Sequence, residues 1–567
     1  MNEKFRQTPP ESLESVPFDL PKPFKTELAN GLKLVFIEDR RYPILSLRLA
    51  FRSGDINDPS DRIGLNSAMA EMLNEGTQNY SSKDFAEEIE RLGANVSASA
   101  GLDNTIVKAS TLSMYSREVI GLMTDLVRNP TFPEDELDLY KQNTIEGLKF
   151  QRSQPDFLAD EQVARIVYGN HPYSVNAPTP EDIGKITRQD VVEFHEKAFV
   201  ANNATLIAVG DFNAVELTEL VNEKLGDWNT GEVLVPVLEE TPQRTERTIT
   251  IVDRPGSTQS NIVLANLALE RNHPDYFPVL VMNQILGAGA SSRLFMNLRE
   301  EKGYTYGAYS RLYSKRHAGS FEATSEVRTA VTDESLKEFF FELNRIRDER
   351  ASDEELADAT NYLTGVFPIR AETQGGLTGL IVAQELYDLP EDYLETYRDR
   401  VRAVTLEEVQ RVANAYIEPE SLAIVIVGDA EEVLPQALKY ANEVEIFDVD
   451  GKPKNIEEYA SEESVETADV TGTWELSVEA MGQSLPVTLI LTQDDASVSG
   501  RLESMLGEGE IHDGKVSGNS FSAVAKTEFQ GQPTELGLKG KIDGDSMNGT
   551  MSNSMIPVPM EFSGNRS

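Results

Sequence analysis

The chain has no cysteine in 567 residues and only five histidines. The first absence excludes disulfides, thiolate metal sites and cysteine nucleophiles, and leaves the compartment open. The histidines, His171, His195, His273, His317 and His512, are scattered, and no two stand at the one-turn spacing that lets imidazoles share a metal. Each reads as structural. No apolar run approaches 18 residues, so no membrane-spanning helix is expected. The opening MNEKFRQTPPESLESVPFDLPKP lacks the apolar core of a secretory signal. Basic residues are few, 52 against 95 acidic, for a net charge of −43. That balance repels polyanions and argues against a nucleic-acid or anionic-membrane partner; it suits basic peptides, or a solvated acidic surface. No G-x-S-x-G nucleophile elbow occurs.

Hydrophobic content of 40% and charged content of 26% are those of a globular protein. At roughly 100 to 200 residues per domain, the chain holds several domains. Residues 1–24 are Pro-rich and polar, an extended arm. Strand patterns LKLVFIED and ILSLRLAFRSG follow. Helical patterns cover 83–92, 115–127 and 134–152, with a strand-like stretch at 95–100. Strands and helices mixed in this order predict an α+β layer, helices on one face of a sheet. A repeat then becomes visible: TRQDVVEFHEKAFVANNATLIAVGD (187–211) matches TLEEVQRVANAYIEPESLAIVIVGD (405–429). In both, a Thr caps a helix, a short loop follows, and an apolar strand ends on V-G-D. Two copies of one domain are therefore expected, at 25–240 and 241–445.

The stretch Gly64 to Thr77, GLNSAMAEMLNEGT, places Leu65, Ala68, Met69 and Met72 on one helical face. Its frame resembles the helix of the inverted zinc peptidases, the family of pitrilysin, insulin-degrading enzyme and the mitochondrial processing peptidase. There the pattern is G-x-x-H-x-x-E-H-M-x-x-x-G-T, two His binding Zn²⁺ and a Glu activating water. Gly64, Met72, Gly76 and Thr77 match, but Ser67 and Glu71 stand where the His belong and Ala70 where the base belongs. The family's third ligand, a Glu on a later helix, aligns with Gly147 in NTIEGLKFQRSQP; Glu146 is one residue early and turned by roughly 100°. The resemblance thus implies a degenerate metal site at Ser67, Ala70, Glu71 and Gly147. Glu71, Glu75 and Glu146 are left as a candidate carboxylate site for a hard cation.

In the second copy, GAGASSRLFMNLREEKGYTYGAY (287–309) is similar to the family's S-R-L, L-R-E, K-G-x-x-Y segment. In active members its Arg and Tyr reach the substrate at the zinc site, which implies that role for Arg299 and Tyr306. A guanidinium and a phenol can hold a peptide carbonyl and its developing oxyanion. Alternatively, Arg299 pairs with Glu300 or Glu301 and Tyr306 packs in a sheet. Beyond residue 445, an acidic linker is expected at 446–470. Residues 471–567 are short strand patterns between Gly-rich turns, an all-β sandwich or small barrel similar to lipocalin-like barrels, with an interior cavity or a filled core both open.

The resemblance implies two homologous layered domains forming a half-chamber, and a non-catalytic subunit of a heterodimeric zinc peptidase. Such a chain would be inactive alone and carry no cofactor, zinc residing in a homologous H-x-x-E-H-bearing partner. Its ligand would be an unfolded peptide, and its location periplasmic or secreted. The other expectation is a structural or binding protein of the same fold, like the core subunits of respiratory complex III.

Overall fold

The computed structural model describes residues 20–459 and 468–567, except 481, 482, 495, 505, 506, 518, 530, 531, 554 and 555. It divides into two compact units that meet in sequence at residues 456 and 457.

In the first unit, apolar and β-branched runs form two sheets. Strands β1 (Phe24–Glu27), β2 (Lys33–Glu38), β3 (Ile44–Phe51), β4 (Asn95–Ala100), β5 (Thr105–Leu112) and β6 (Ala204–Gly210) make a sheet of order β1-β2-β6-β3-β5-β4. Strand β6, ATLIAVG, is buried at every position, as a central strand covered on both faces must be. The second sheet contains β7 (Thr248–Asp253), β8 (Gln259–Ala268), β9 (Thr305–Ser314), β10 (Gly319–Arg328), β11 (Ala423–Gly428), β12 (Glu443–Phe447) and β13 (Pro453–Lys454), in the order β13-β12-β7-β11-β8-β10-β9. The segment β2-β6-β3-β5-β4 has the same connectivity as β7-β11-β8-β10-β9. In each, the first pairing is parallel (β2 with β6, β7 with β11) and the rest are antiparallel.

The repeat seen in the sequence is built on matching capping boxes. Thr187 caps helix Arg188–Ala198 with Asp190 at its third position, and Thr405 caps helix Leu406–Tyr416 with Glu408. The helices lead into β6 and β11. Each half lends a helix to the other half's sheet: Pro155–Tyr168 lies on β8 and β11, and Gln374–Leu386 lies on β3 and β6. Leu158, Val163 and Val167 of the first packs with Val263, Val425 and Val427 in one buried cluster.

Two stretches differ from expectation. Phe24, the last residue of the expected arm, already belongs to strand β1, which pairs with β2; residues 1–19 lie outside the described residues. Of the expected acidic linker at 446–470, residues 446–447 and 453–454 lie in strands that extend the second sheet, because Ile446 buries against β7. Residues 460–467 lie outside the described residues.

The second unit is a closed barrel: β14 (Gly472–Ala480), β15 (Gln483–Asp494), β16 (Ser497–Ser504), β17 (Gly507–Ser517), β18 (Ser520–Phe529), β19 (Gln532–Asp543), β20 (Ser546–Asn553) and β21 (Ile556–Arg566). Neighbours pair antiparallel and β21 returns to β14. The interior is filled, with Trp474, Leu489, Phe521, Leu538 and Phe562 in one buried cluster. Trp474 Nε1 donates to the Val470 carbonyl at 2.9 Å, satisfying its one polar atom.

Candidate functional site

The stretch with the zinc-helix frame folds as helix Leu65–Met72, continued by a 3₁₀ turn over Leu73–Glu75. Gly64 at its N-cap has φ +89, and a side chain there would also press on Pro178 and Ile183. The cap comes from the preceding loop. Asp58 accepts the backbone N–H of Gly64 at 2.7 Å and of Asn66 at 2.8 Å, supplying the anion that a helix start favours. Asp55 accepts from Asn66 Nδ2 at 2.9 Å and Ser67 Oγ at 3.0 Å. Burial pushes the Asp58 carboxyl up to about 7, though its backbone hydrogen bonds oppose the rise. Burial raises Asp55 as well.

These contacts account for the positions where zinc ligands would stand. Ser67 is committed to Asp55, Ala70 is a buried methyl, and Glu71 faces solvent. Gly147 lies on helix Glu134–Gln151, and a Cβ there would meet nothing within 4 Å. Tyr140 of the same helix is pushed up to about 12 by burial and by the charges of Glu71, Asp55 and Asp58. One carboxylate, one hydroxyl, a methyl and a bare backbone do not fit zinc, which takes about three nitrogen, sulfur or oxygen ligands from protein. The alternative cation site is corrected by the structure. Glu75 accepts from Ser82 at 2.8 Å, and Glu146 pairs with Lys149 at 2.6 Å, so neither joins Glu71. Among the described residues no group of three or more His, Asp or Glu side chains is placed to hold a metal.

Four of the five histidines are buried or half-buried, and His512 is exposed. His195 Nε2 lies 2.9 Å from the Val127 carbonyl, its ring pushed down to about 4 by burial. His171 and His273 each accept a backbone N–H two residues on, from Tyr173 and Asp275. The His317 ring lies 6.4 Å from that of Tyr173 and tilted to it, and His512 lies beside Glu510.

In the second copy, the segment before β9 is a π-helix, Phe295–Glu301, a form often found at functional sites. Arg299, half-exposed, lies over the Phe295 ring at 4.7 Å and 3.4 Å from Glu300. Tyr306, on β9, does not pack in the sheet; it is 91% exposed. The S-R-L arginine, Arg293, is 8% exposed and holds Glu355 through two hydrogen bonds, 2.6 and 3.0 Å. Although burial raises Glu355, these bonds and its capping role at Ser352 hold it at about 2. Arg293 therefore fastens the segment to helix Asp353–Glu372.

Next to Tyr306 is a cavity of about 410 Å³ between helix Pro155–Tyr168 and strands β8, β10 and β9. Asp156 and Asp160 come from the helix, Asn261 from β8, Glu322 from β10, and Tyr309 and Arg311 from β9. Sequence reasoning missed these residues. They come from three distant segments, and only the pairing of β8 with β10 and β10 with β9 brings them together.

The chain is an α/β protein of two matching copies in which, among the described residues, no group of three or more His, Asp or Glu side chains is placed to hold a metal. Comparison with known families gives its class. Residues 33–181 match the family model described as insulinase, peptidase family M16, and residues 185–363 match that of the peptidase M16 inactive domain. The chain belongs to the peptidase M16 family. The non-peptidase homolog YmxG of Helicobacter pylori is 24% identical over 409 residues, 70% of this chain and 92% of that protein. The crystal structure of a peptidase M16 inactive domain from Pseudomonas fluorescens superposes with a TM-score of 0.67 at 28% identity, covering 72% of this chain and 98% of its own. The first half of the periplasmic protease PqqL of Escherichia coli has the same fold, with a TM-score of 0.60 at 16% identity, over 75% of this chain and 98% of its own. The barrel lies outside both family-model matches.

Proposed function

We propose that this chain is the non-catalytic, substrate-binding subunit of a heterodimeric zinc peptidase. It pairs with a homologous subunit bearing H-x-x-E-H and supplies Arg299 and Tyr306 to that subunit's site. The observation that carries this reading is the asymmetry between the copies. In the first, every metal-ligand position is changed while the helix and its packing are retained. In the second, the segment around Arg299 and Tyr306 is retained, with Tyr306 projecting into solvent.

The chemistry follows from the residue types. A peptide carbonyl attacked at the partner's zinc develops negative charge, and a guanidinium and a phenol O–H are donors that stabilise it. The Arg299 guanidinium, already drawn to Glu300, exchanges that surface pair for substrate at little expense, since exposed pairs contribute about 0 to 1 kcal/mol. The two chains would close a chamber around an unfolded peptide, in the periplasm or outside the cell. Kinship with a non-peptidase homolog and fold likeness to a periplasmic protease support this. Among the described residues no helix is long and apolar enough to cross a membrane. The domain plan at 25–240, 241–445 and 471–567 is part of the proposal, with the barrel as a docking module.

The test is to mix the purified chain with the H-x-x-E-H homologue of the same genome and follow size and zinc content. A one-to-one complex with zinc only in the partner is expected. Two species that elute separately at every concentration would refute the pairing. The second reading, a binding protein without a role in proteolysis, has the Arg299 to Glu300 pair in its favour. It predicts stable association with a complex that cleaves nothing.

A further inference from the structure

The cavity beside Tyr306 is built from acceptors. Four carboxylates line it, Asp156, Asp160, Glu322 and Glu326, against one guanidinium, Arg311. Asn261 adds a further acceptor. Its Nδ2 donates to Asp156 Oδ1 at 2.6 Å, whereas its Oδ1 is buried without a partner, in a side chain only 7% exposed. A buried carbonyl left unpaired is unfavourable, and the missing element is an N–H donor. Strand pairing places the remaining groups. Glu322 on β10 stands opposite Arg311 on β9, and Thr324 opposite Tyr309; Asn261 on β8 stands opposite Glu326. Tyr309, Arg311 and Tyr313 follow the two-residue period of a strand and share one face. Arg311 Nη1 is turned along the strand to Tyr313 Oη at 3.2 Å.

We infer that this cavity binds a guanidinium or alkylammonium group, either a basic side chain of a peptide or a free cation of the same chemistry. Such a group carries three to five N–H donors, the complement of four carboxylates and an orphan amide oxygen. The Tyr309 and Tyr313 rings supply aromatic surface for the alkyl stem and for cation–π contact. A volume of about 410 Å³ holds a long side chain and is of the size of small-ligand pockets. Burial raises both Asp160 and Glu322, and a cation entering the cavity would favour their charged forms over the neutral ones. An anionic ligand is excluded by the same charges. Peptide as the source of the cation rests on the function proposed above; the cation site itself does not.

The test is calorimetric titration of the isolated full chain with an acetylated, amidated peptide Ala-Ala-Arg-Ala-Ala, with its citrulline counterpart, and with agmatine. Citrulline keeps the shape of arginine and removes the charge. The arginine peptide should bind at least about tenfold more tightly than the citrulline peptide, the effect of one charge-assisted hydrogen bond. Asp160→Asn and Glu322→Gln should each cause a loss of similar size without lowering the melting temperature. Agmatine binding as tightly as the arginine peptide would assign the site to a free cation, and weaker agmatine binding would assign it to a peptide. No binding, equal binding of the arginine and citrulline peptides, or insensitivity to both substitutions would overturn the inference. The peptide comparison uses the unaltered chain, so it stands even if a variant fails to fold. No catalytic subunit is present, so failure here leaves the pairing proposal untouched.

Discussion

Replacing Glu322 by Gln should stabilise the first unit and cripple the cavity at once. Burial pushes the Glu322 carboxyl from its ordinary 4.5 up to about 7, against the Ser320 hydroxyl that donates to it at 2.8 Å. An acid whose folded-state value is raised is neutral and unpenalised below its unfolded value. Its contribution to stability falls as pH rises from about 4.5 through about 7, because the unfolded chain ionises first. The full shift corresponds to about 3 kcal/mol, and solvent entering through the cavity mouth lowers it to about 2 kcal/mol. Gln keeps the acceptor for Ser320 and never ionises. The variant should therefore match the parent closely near the acid end and exceed it by about 2 kcal/mol at about pH 8. Urea unfolding followed by circular dichroism at a helical wavelength reads this, since the barrel contains no helix among its described residues and contributes little signal there. A stability gap that does not change between about pH 5 and pH 8, or a variant weaker than the parent at the higher pH, would refute the reasoning. The expected combination, more stable but a poorer binder of cations, is the usual sign of a site that holds unfavourable charge for a ligand.

Other substitutions probe other parts. Arg293→Ala leaves the Glu355 carboxylate without its bidentate partner and should destabilise the first unit by about 3 kcal/mol in the same urea assay; a change under about 1 kcal/mol would remove Arg293 from its fastening role. Thr187→Ala and Thr405→Ala each delete a capping box and should cost about 1 kcal/mol, equally in the two copies. Leu538→Ala opens a void in the barrel core and should lower barrel stability by about 3 kcal/mol, read from Trp474 fluorescence, with the helical transition unmoved. The triple change Ser67→His, Glu71→His and Gly147→Glu restores the ligand types at positions that include an open backbone, and should confer stoichiometric zinc by metal analysis. Failure to bind zinc would mean that the helix is not the zinc helix of the family.

The repeat was legible in the sequence because its signals are local. Thr187 with Asp190 and Thr405 with Glu408 are three residues apart, and the strands ending on V-G-D are unbroken apolar runs. The frame of Gly64, Met72, Gly76 and Thr77 was legible for the same reason, and the proposed loss of the metal ligands rests on that frame. The surroundings of the helix were not legible. Asp55 and Asp58 belong to no motif in the sequence, yet they lean onto the helix start and engage Ser67 and the Gly64 and Asn66 amides. The choice between sandwich and barrel depends on whether β21 pairs with β14, two strands some eighty residues apart, and no local pattern encodes it. Strands β12 and β13 were hidden by their charge: Glu443 and Glu445 alternate with Val444 and Ile446 on an edge, where one face stays in water. The cavity was least legible of all. Asn261, Glu322 and Asp160 carry no motif, and only sheet register and the lent helix Pro155–Tyr168 unite them.

The central claim, that this chain completes a partner's active site, is tested most directly by peptide cleavage in the reconstituted pair. The chain and its H-x-x-E-H homologue are assayed separately, together, and together with Arg299→Ala. The account predicts strong cleavage only in the mixture and its loss, by at least about a hundredfold in kcat/KM, in the mixture with Arg299→Ala, as removal of an oxyanion donor produces. Cleavage by this chain alone, or a mixture in which Arg299→Ala is as active as the parent, would contradict it.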